Sequence, residues 1–154
     1  MVANVKDKAV IVGVGNTAFS KDSGVSELSL AVQATKAALD DAGLHPSAVD
    51  GMATFTMDTN DEIEVARALG VGEMTFYGRS HYGGGAATSC LHQATMAIAT
   101  GMAETVVVYR ALNGRSGHRV SSGVSGDITT ADAIHWGWYM PYGLLTPASW
   151  VAMF

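Results

Sequence analysis

Tyr82-Gly83-Gly84-Gly85-Ala86-Ala87-Thr88-Ser89-Cys90 opens the run whose reading decides the fold. Three glycines lead into Ala, Thr, Ser and Met residues at helical spacing. The run stops at Thr100-Gly101, and Glu104-Thr-Val-Val-Val-Tyr-Arg110 then reads as a strand. A helix built mostly from small residues has no polar face, so it is expected to be buried and to let other backbones approach closely. Its glycine-rich start would leave backbone N–H groups facing an oxyanion or a thioester oxygen. Gly83, Gly84 and Gly85 are therefore candidates for substrate binding. A tightly packed core helix without a ligand accounts for the same pattern, and both readings stand at this point.

Working outward, Ala9-Val-Ile-Val-Gly-Val14 is a continuous, mostly β-branched run, the pattern of a strand buried on both faces. Gly15-Asn16-Thr17 turns the chain, and 20–24 is a polar loop. Ser26 is placed to cap a helix whose Leu28, Ala31, Val32, Thr35, Ala38, Leu39 and Ala42 share one face. Gly43 and Pro46 stop it. Residues 49–56 read as a second strand and 61–69 as a short helix with Ile63, Val65, Ala66 and Leu69 as its apolar positions. Gly70 ends that helix, and Met74–Tyr77 reads as a third strand. Alternating strands and helices predict an α/β fold with a largely parallel sheet. After Arg110 the character changes to loop-like stretches at 113–117 and 121–126. An aromatic remainder follows, with Trp136, Trp138, Tyr139, Tyr142, Trp150 and Phe154. The division expected is a core at 1–110 and a different region at 111–154. No internal repeat is visible. The last residues read as the first turns of a helix with an apolar face, as in a chain cut short.

With 154 residues the chain fits one domain and can bury a real core. Apolar residues make up 48% and charged residues 15%, so much of the surface is expected to be covered by partners or by further chain. The net charge of −5 and the lack of a basic stripe argue against nucleic-acid binding. A single cysteine forms no internal disulfide, which fits a reducing, cytoplasmic setting. Gly13 and Gly15 interrupt the apolar run that follows Lys6 and Lys8, so it reads as a strand and not as a signal peptide. No apolar stretch is long enough to span a membrane.

Several groups could carry chemistry. Gly13-Val-Gly15-Asn-Thr-Ala18 matches a dinucleotide fingerprint, but a polar loop follows it where a helix should start, and no acidic residue stands at the tip of the second strand. A tight turn after a buried strand is the simpler reading. Cys90 lies nearly two turns beyond the glycines, where a helix dipole no longer activates a thiol. His92, two residues on, points to another face, so a buried, unreactive Cys90 is the simpler reading. His81 and Tyr82 sit just before the glycines and are candidate acid/base or hydrogen-bonding groups, or structural groups of the turn. The five His, His118 and His135 among them, form no metal-ligand set with Cys90. Asp40-Asp41 and Asp61-Glu62-Glu64 read as solvated helix faces. Arg110, Arg115 and Arg119 could meet a phosphate or carboxylate, or simply be solvated.

Val10 to Phe19, the helix from Glu27 through Ala38-Leu-Asp-Asp-Ala-Gly-Leu44, Val49-Asp50-Gly51 and Gly101-Met-Ala-Glu104 together resemble the N-terminal half of thiolases of the sterol-carrier-protein type and their lipid-transfer-protein relatives. Tyr109 to Gly117 and Pro141-Tyr-Gly-Leu-Leu-Thr-Pro147 look like signatures of the latter branch, which includes thiolase-like aldolases of steroid side-chain degradation. The resemblance implies a two-part α/β fold of which this chain holds the first core and the start of an inserted loop region. It implies acyl-CoA substrates, no cofactor other than coenzyme A carried by the substrate, a homodimer and a small OB-fold partner. The catalytic His and Cys positions, or the Tyr residues of the aldolase branch, would lie in the half beyond this chain. The thiolase nucleophile would fall on Gly84 or, in a looser match, on Ala87, and neither is a cysteine. Retro-aldol cleavage, which needs a base and an enolate-stabilising group but no thiol, is the expectation that follows. The alternatives are a non-catalytic lipid- or acyl-CoA-binding or lipid-transfer protein, an acyltransferase of the ordinary thiolase type, or an inert truncated product.

Overall fold

The computed structural model describes residues 5–55, 60–80, 85–115 and 134–153. It divides into two compact units, Met1–Asn113 and Gly114–Phe154. In the first, helix α1 spans Glu27–Ala42. The Ser26 hydroxyl accepts from Ser29 N at 3.1 Å, which satisfies one of the amide donors that a helix start leaves without a partner. Gly43 ends the helix with φ 67°, and Leu44 N donates to Leu39 O at 2.9 Å. Glycine, which has no Cβ, takes that left-handed cap without strain. Ala31, Thr35 and Leu39 are its buried stripe, as their spacing predicts.

Strands β1 (Gly51–Phe55), β2 (Phe76–Ser80) and β3 (Val106–Val108) form a parallel sheet in the order β2-β1-β3. The central strand is buried along its whole length. Asp50, just before it, aligns both neighbours. Its carboxylate accepts from Glu104 N and Thr105 N, each at 2.8 Å, and its carbonyl accepts from Thr75 N at 2.8 Å. Phe55 stands beside Ser80 at the carboxyl ends of the strands. Helix α2 (Glu62–Leu69) lies between β1 and β2 in sequence, and α3 (Ala86–Ala99) between β2 and β3. Met52, Val49 and Val65 centre a core shared with Ala31, Leu39, Ala66, Tyr109 and Ala111.

Four expectations need correction. Ala9–Val14 is not a strand buried on both faces. It pairs with nothing in the sheet, and Val10, Ile11, Val12 and Val14 are 79, 74, 59 and 72% exposed. Burial on both faces requires a ladder partner and a layer on each side, and the described residues supply no ladder partner and only α1 on one side. The third strand starts two residues later than read and runs to Ser80. Helix α3 is buried on one face only, through Cys90, Ala94 and Ala97, while Leu91 and Met96 are exposed. It packs on the sheet from one side, so its small residues serve close approach there, and its outer face is left uncovered. Ile63 on α2 is likewise exposed.

The second unit contains helix α4 (Ile134–Tyr139), a 3-10 turn at Met140–Tyr142 and helix α5 (Pro147–Val151). The first two were not legible as regular elements in the sequence. The Thr146 hydroxyl accepts from Ser149 N at 3.3 Å at the start of α5. Trp138 and Tyr142 are exposed.

Candidate functional site

Parallel sheets gather functional groups outside the carboxyl ends of their strands, where the loops leave and helix N-termini point back. Here that end is built from Thr54 and Phe55 of β1, Ser80 of β2, Tyr109 and Arg110 after β3, and Gly85 at the start of α3. Gly85 is exposed in the N-cap position, with φ −84° and ψ −4°, and no side chain caps α3. A Cβ there would meet no atom of the described residues within 4 Å. The other residues singled out around it, His81, Tyr82, Gly83 and Gly84, lie outside the described residues, as do His118 and Arg119.

A buried polar chain crosses the strand ends. The Thr54 hydroxyl donates to Tyr109 O at 3.2 Å, and the Tyr109 hydroxyl reaches Asn60 O at 3.5 Å. The side chain of Asn60 and the Ser80 hydroxyl, both in residues 3% exposed, have no hydrogen-bond partner among the described residues. Arg110 stacks over the Phe55 ring, 4.9 Å from its centre. Neither Asn60 nor Ser80 was legible as a site residue, because each is a short polar side chain in a mixed stretch with no motif to mark it.

Cys90 is buried, and its thiol donates to Thr54 O at 3.2 Å. That contact ties the sulfur to the backbone of β1. His92 is exposed on the same helix. The glycines of the fingerprint-like turn do not open a helix. A Cβ on Gly13 would overlap Ala38 O, and one on Gly15 would overlap Ala34 O and stand 2.8 Å from Ala37 C. They let the chain lie directly on α1, which is a packing role.

The acidic residues read as solvated are in part structural. Glu62 is buried and accepts from Arg79 Nε at 2.9 Å and Nη2 at 2.7 Å, while Asp61 also bonds that guanidinium. Burial of Arg79 acts to lower its pKa, but the hydrogen bonds and charges of Glu62 and Asp61 outweigh it, and the pKa is raised. Asp61 N donates to Glu64 Oε2 at 3.4 Å at the start of α2. Lys36 pairs with Asp40 at 3.2 Å on the exposed side of α1. The Asp41 carboxylate accepts from Val14 N at 2.9 Å. Among the described residues no cluster of three potential metal ligands exists, and no helix is long and apolar enough to cross a membrane.

This parallel α/β core, with its glycine-led helix α3 behind the strand ends, has the fold of thiolase-like proteins, and comparisons with known proteins carry the likeness further. No family model matches the chain. The steroid side-chain-cleaving aldolase of Thermomonospora curvata is 56% identical over 148 residues, which are 95% of this chain and 38% of that protein. The 17-hydroxy-3-oxo-4-pregnene-20-carboxyl-CoA lyase of Mycobacterium tuberculosis is 54% identical over the same shares. A solved Ltp2-ChsH2(DUF35) aldolase superposes with a TM-score of 0.73 at 55% identity, over 93% of this chain and 35% of its own. A monomeric SCP2-thiolase-like protein type 1 from Mycobacterium smegmatis gives 0.54 at 29% identity, over 64% of this chain and 22% of its own. The resemblance to thiolase-like, sterol-carrier-protein-type aldolases is thereby borne out. The chain spans well under half the length of the curated relatives it matches.

Proposed function

We propose that this chain is part of a thiolase-like aldolase that cleaves a carbon–carbon bond in the side chain of a steroid carried as a coenzyme A thioester. The observation that carries the reading is identity above one half, over 95% of the chain, to two proteins named for such cleavage. The chemistry is a retro-aldol reaction. A base removes the proton of a hydroxyl β to the thioester carbonyl. The bond between the hydroxyl-bearing carbon and the α-carbon breaks, a steroid ketone forms, and the thioester leaves as an enolate that takes up a proton. The enolate needs hydrogen-bond donors aimed at its oxygen, and the amides at the start of α3, which no described side chain caps, are suited to that task. No thiol takes part, which agrees with Cys90 being buried and hydrogen-bonded to Thr54 O.

The reading needs no resident cofactor, since coenzyme A enters with the substrate. A homodimer is supported by the outer edge of β2. There Tyr77, Met96 and Met102 are exposed beside a cleft of about 460 Å³ also lined by Arg79 and Gln93. A small OB-fold protein as a further partner is supported by the DUF35 component named in the solved aldolase complex. The single, unpaired cysteine fits a cytoplasmic setting.

The test is turnover of 17-hydroxy-3-oxo-4-pregnene-20-carboxyl-CoA by this chain produced together with the unmatched portion of the Thermomonospora curvata aldolase and a DUF35-type partner. A steroid ketone and a shortened acyl-CoA in equal amounts are expected. An acyl group trapped on Cys90 would refute the reading and point to acyl transfer. Tight binding without turnover would refute it in favour of a lipid-binding role. Light scattering reports whether the assembly holds two copies of this chain.

A further inference from the structure

Ser80, Phe55 and Arg110 stand in a row where the strands of the sheet end. A Cβ on Gly78 of β2 would lie 2.7 Å from Gln93 Oε1 of α3, so Gly78 faces that helix, and Ser80, two residues on, faces it too. Ser80 pairs with Phe55 in register, and residues paired across a ladder point to the same side of the sheet. Ala53 pairs with Val108 of β3, which puts Arg110 level with Phe55. The Arg110 guanidinium indeed lies over the Phe55 ring, 4.9 Å from its centre. The row therefore lines the α3 side of the sheet's mouth. Gln93 lies over Gly78, and Cys90 Sγ reaches Thr54 O, one residue nearer the strand ends. Helix α3 thus runs back over the sheet with its start toward the row. Ser89 N donates to Gly85 O at 3.0 Å, which leaves the amides before it outside the helix ladder. The first turn carries no acidic residue and no side-chain cap. Ser80 is only 3% exposed, and its hydroxyl has no partner among the described residues. Arg110 is exposed. A cation, a helix start and a buried hydroxyl without an acceptor together suit a negatively charged oxygen.

We propose that Arg110 is a catalytic residue of the carbon–carbon cleavage. Its guanidinium donates to the thioester oxygen seated on the first-turn amides of α3 as that oxygen takes up the enolate charge, and the Ser80 hydroxyl donates to the same oxygen. Donors fixed before the reaction stabilise charge that appears only as the bond breaks. Stacking on Phe55 restricts the guanidinium, whose edge can donate to an oxygen while its face stays on the ring. Burial keeps water from competing for the Ser80 hydroxyl. The identity of the acceptor, an enolate, rests on the retro-aldol reading. The row of donors does not, since it follows from this chain's own geometry.

The experiment uses the assembled enzyme: this chain with the unmatched portion of the Thermomonospora curvata aldolase and a DUF35-type partner. Two probes separate charge at the reacting position from binding of coenzyme A itself. S-carboxymethyl-CoA carries a carboxylate beside the sulfur, and S-ethyl-CoA is its neutral counterpart. Calorimetry should show the charged probe binding at least about tenfold tighter. Arg110→Met should abolish that preference while S-ethyl-CoA binding stays within about twofold of the parent, which also shows that the variant is folded. In turnover, Arg110→Met should lower kcat about a hundredfold or more with KM little changed, and Arg110→Lys should recover part of the loss. Ser80→Ala should lower kcat about tenfold or more. The proposal fails if the two probes bind alike, or if Arg110→Met weakens both equally, which would place the guanidinium on the phosphates of coenzyme A. It also fails if Arg110→Met cleaves the substrate within a few-fold of the parent rate, an outcome that leaves the aldolase reading intact. Loss of the preference in an assembly that never cleaves the substrate would uphold the anion site and count against the proposed function.

Discussion

Replacing Arg79 by methionine should cost the first unit about 2 kcal/mol. The guanidinium gives two hydrogen bonds to Glu62, whose side chain is only 11% exposed, and a further one to Asp61, which is 60% exposed. A hydrogen bond to a charged group contributes about 1.5–3 kcal/mol when buried, but Arg79 itself is 36% exposed, so water screens part of the pair. The exposed Asp61 contact adds little. The net of about 2 kcal/mol corresponds to a roughly 30-fold shift toward the unfolded state. Most of it is the penalty of leaving Glu62 charged without a partner. Glu62→Gln in the Arg79→Met background should therefore recover about 1 kcal/mol, whereas Glu62→Gln alone should destabilise. Urea titration followed by far-ultraviolet circular dichroism gives all four corners of the cycle. The raised Arg79 pKa adds a sign. Its stabilisation is fully present below the unfolded arginine value and is lost only as pH rises through the still higher folded value. Titration of Arg79 itself should therefore contribute no change in stability between mildly acidic and mildly alkaline pH. A loss below about 0.5 kcal/mol for Arg79→Met, or no relief from the second substitution, would refute the argument that a buried carboxylate is being held.

Met52→Ala removes a fully buried side chain from the centre of the core and should cost about 2–5 kcal/mol in the same titration. Gly15→Val drives atoms into the backbone of α1 and should cost about 1–3 kcal/mol or lift residues 9–19 off the helix, which would show as faster amide exchange along α1. Cys90→Ala in the completed enzyme should leave carbon–carbon cleavage within a few-fold of the parent and lower stability by about 1 kcal/mol, for the loss of the bond to Thr54 and of a sulfur atom's packing. A rate loss beyond about a hundredfold would make the thiol a participant.

The sequence by itself determined most of the local elements of the first unit, from α1 onward, and their order. Ser26 and Gly43 bound α1 because a side-chain acceptor and a left-handed cap are local requirements, met by residues within a turn of the helix end. The parallel α/β character followed from alternation, and the absence of a thiol at the expected nucleophile positions was legible from residue identity alone. Tertiary structure decided everything that depends on a neighbour distant in sequence. Val10–Val14 has the composition of a buried strand, but burial comes from a ladder and covering layers that lie far along a chain or outside it, so its exposure was invisible in its own residues. The small residues of α3 promised burial all round, and only packing showed that one face meets the sheet. Asp61-Glu62 looked solvated until Arg79, more than a dozen residues on, folded against it. Asn60 and Ser80 became site residues for the same reason. A short polar side chain carries no periodic signal, and only the convergence of strand ends brings it, buried and without a hydrogen-bond partner among the described residues, to the mouth of the sheet.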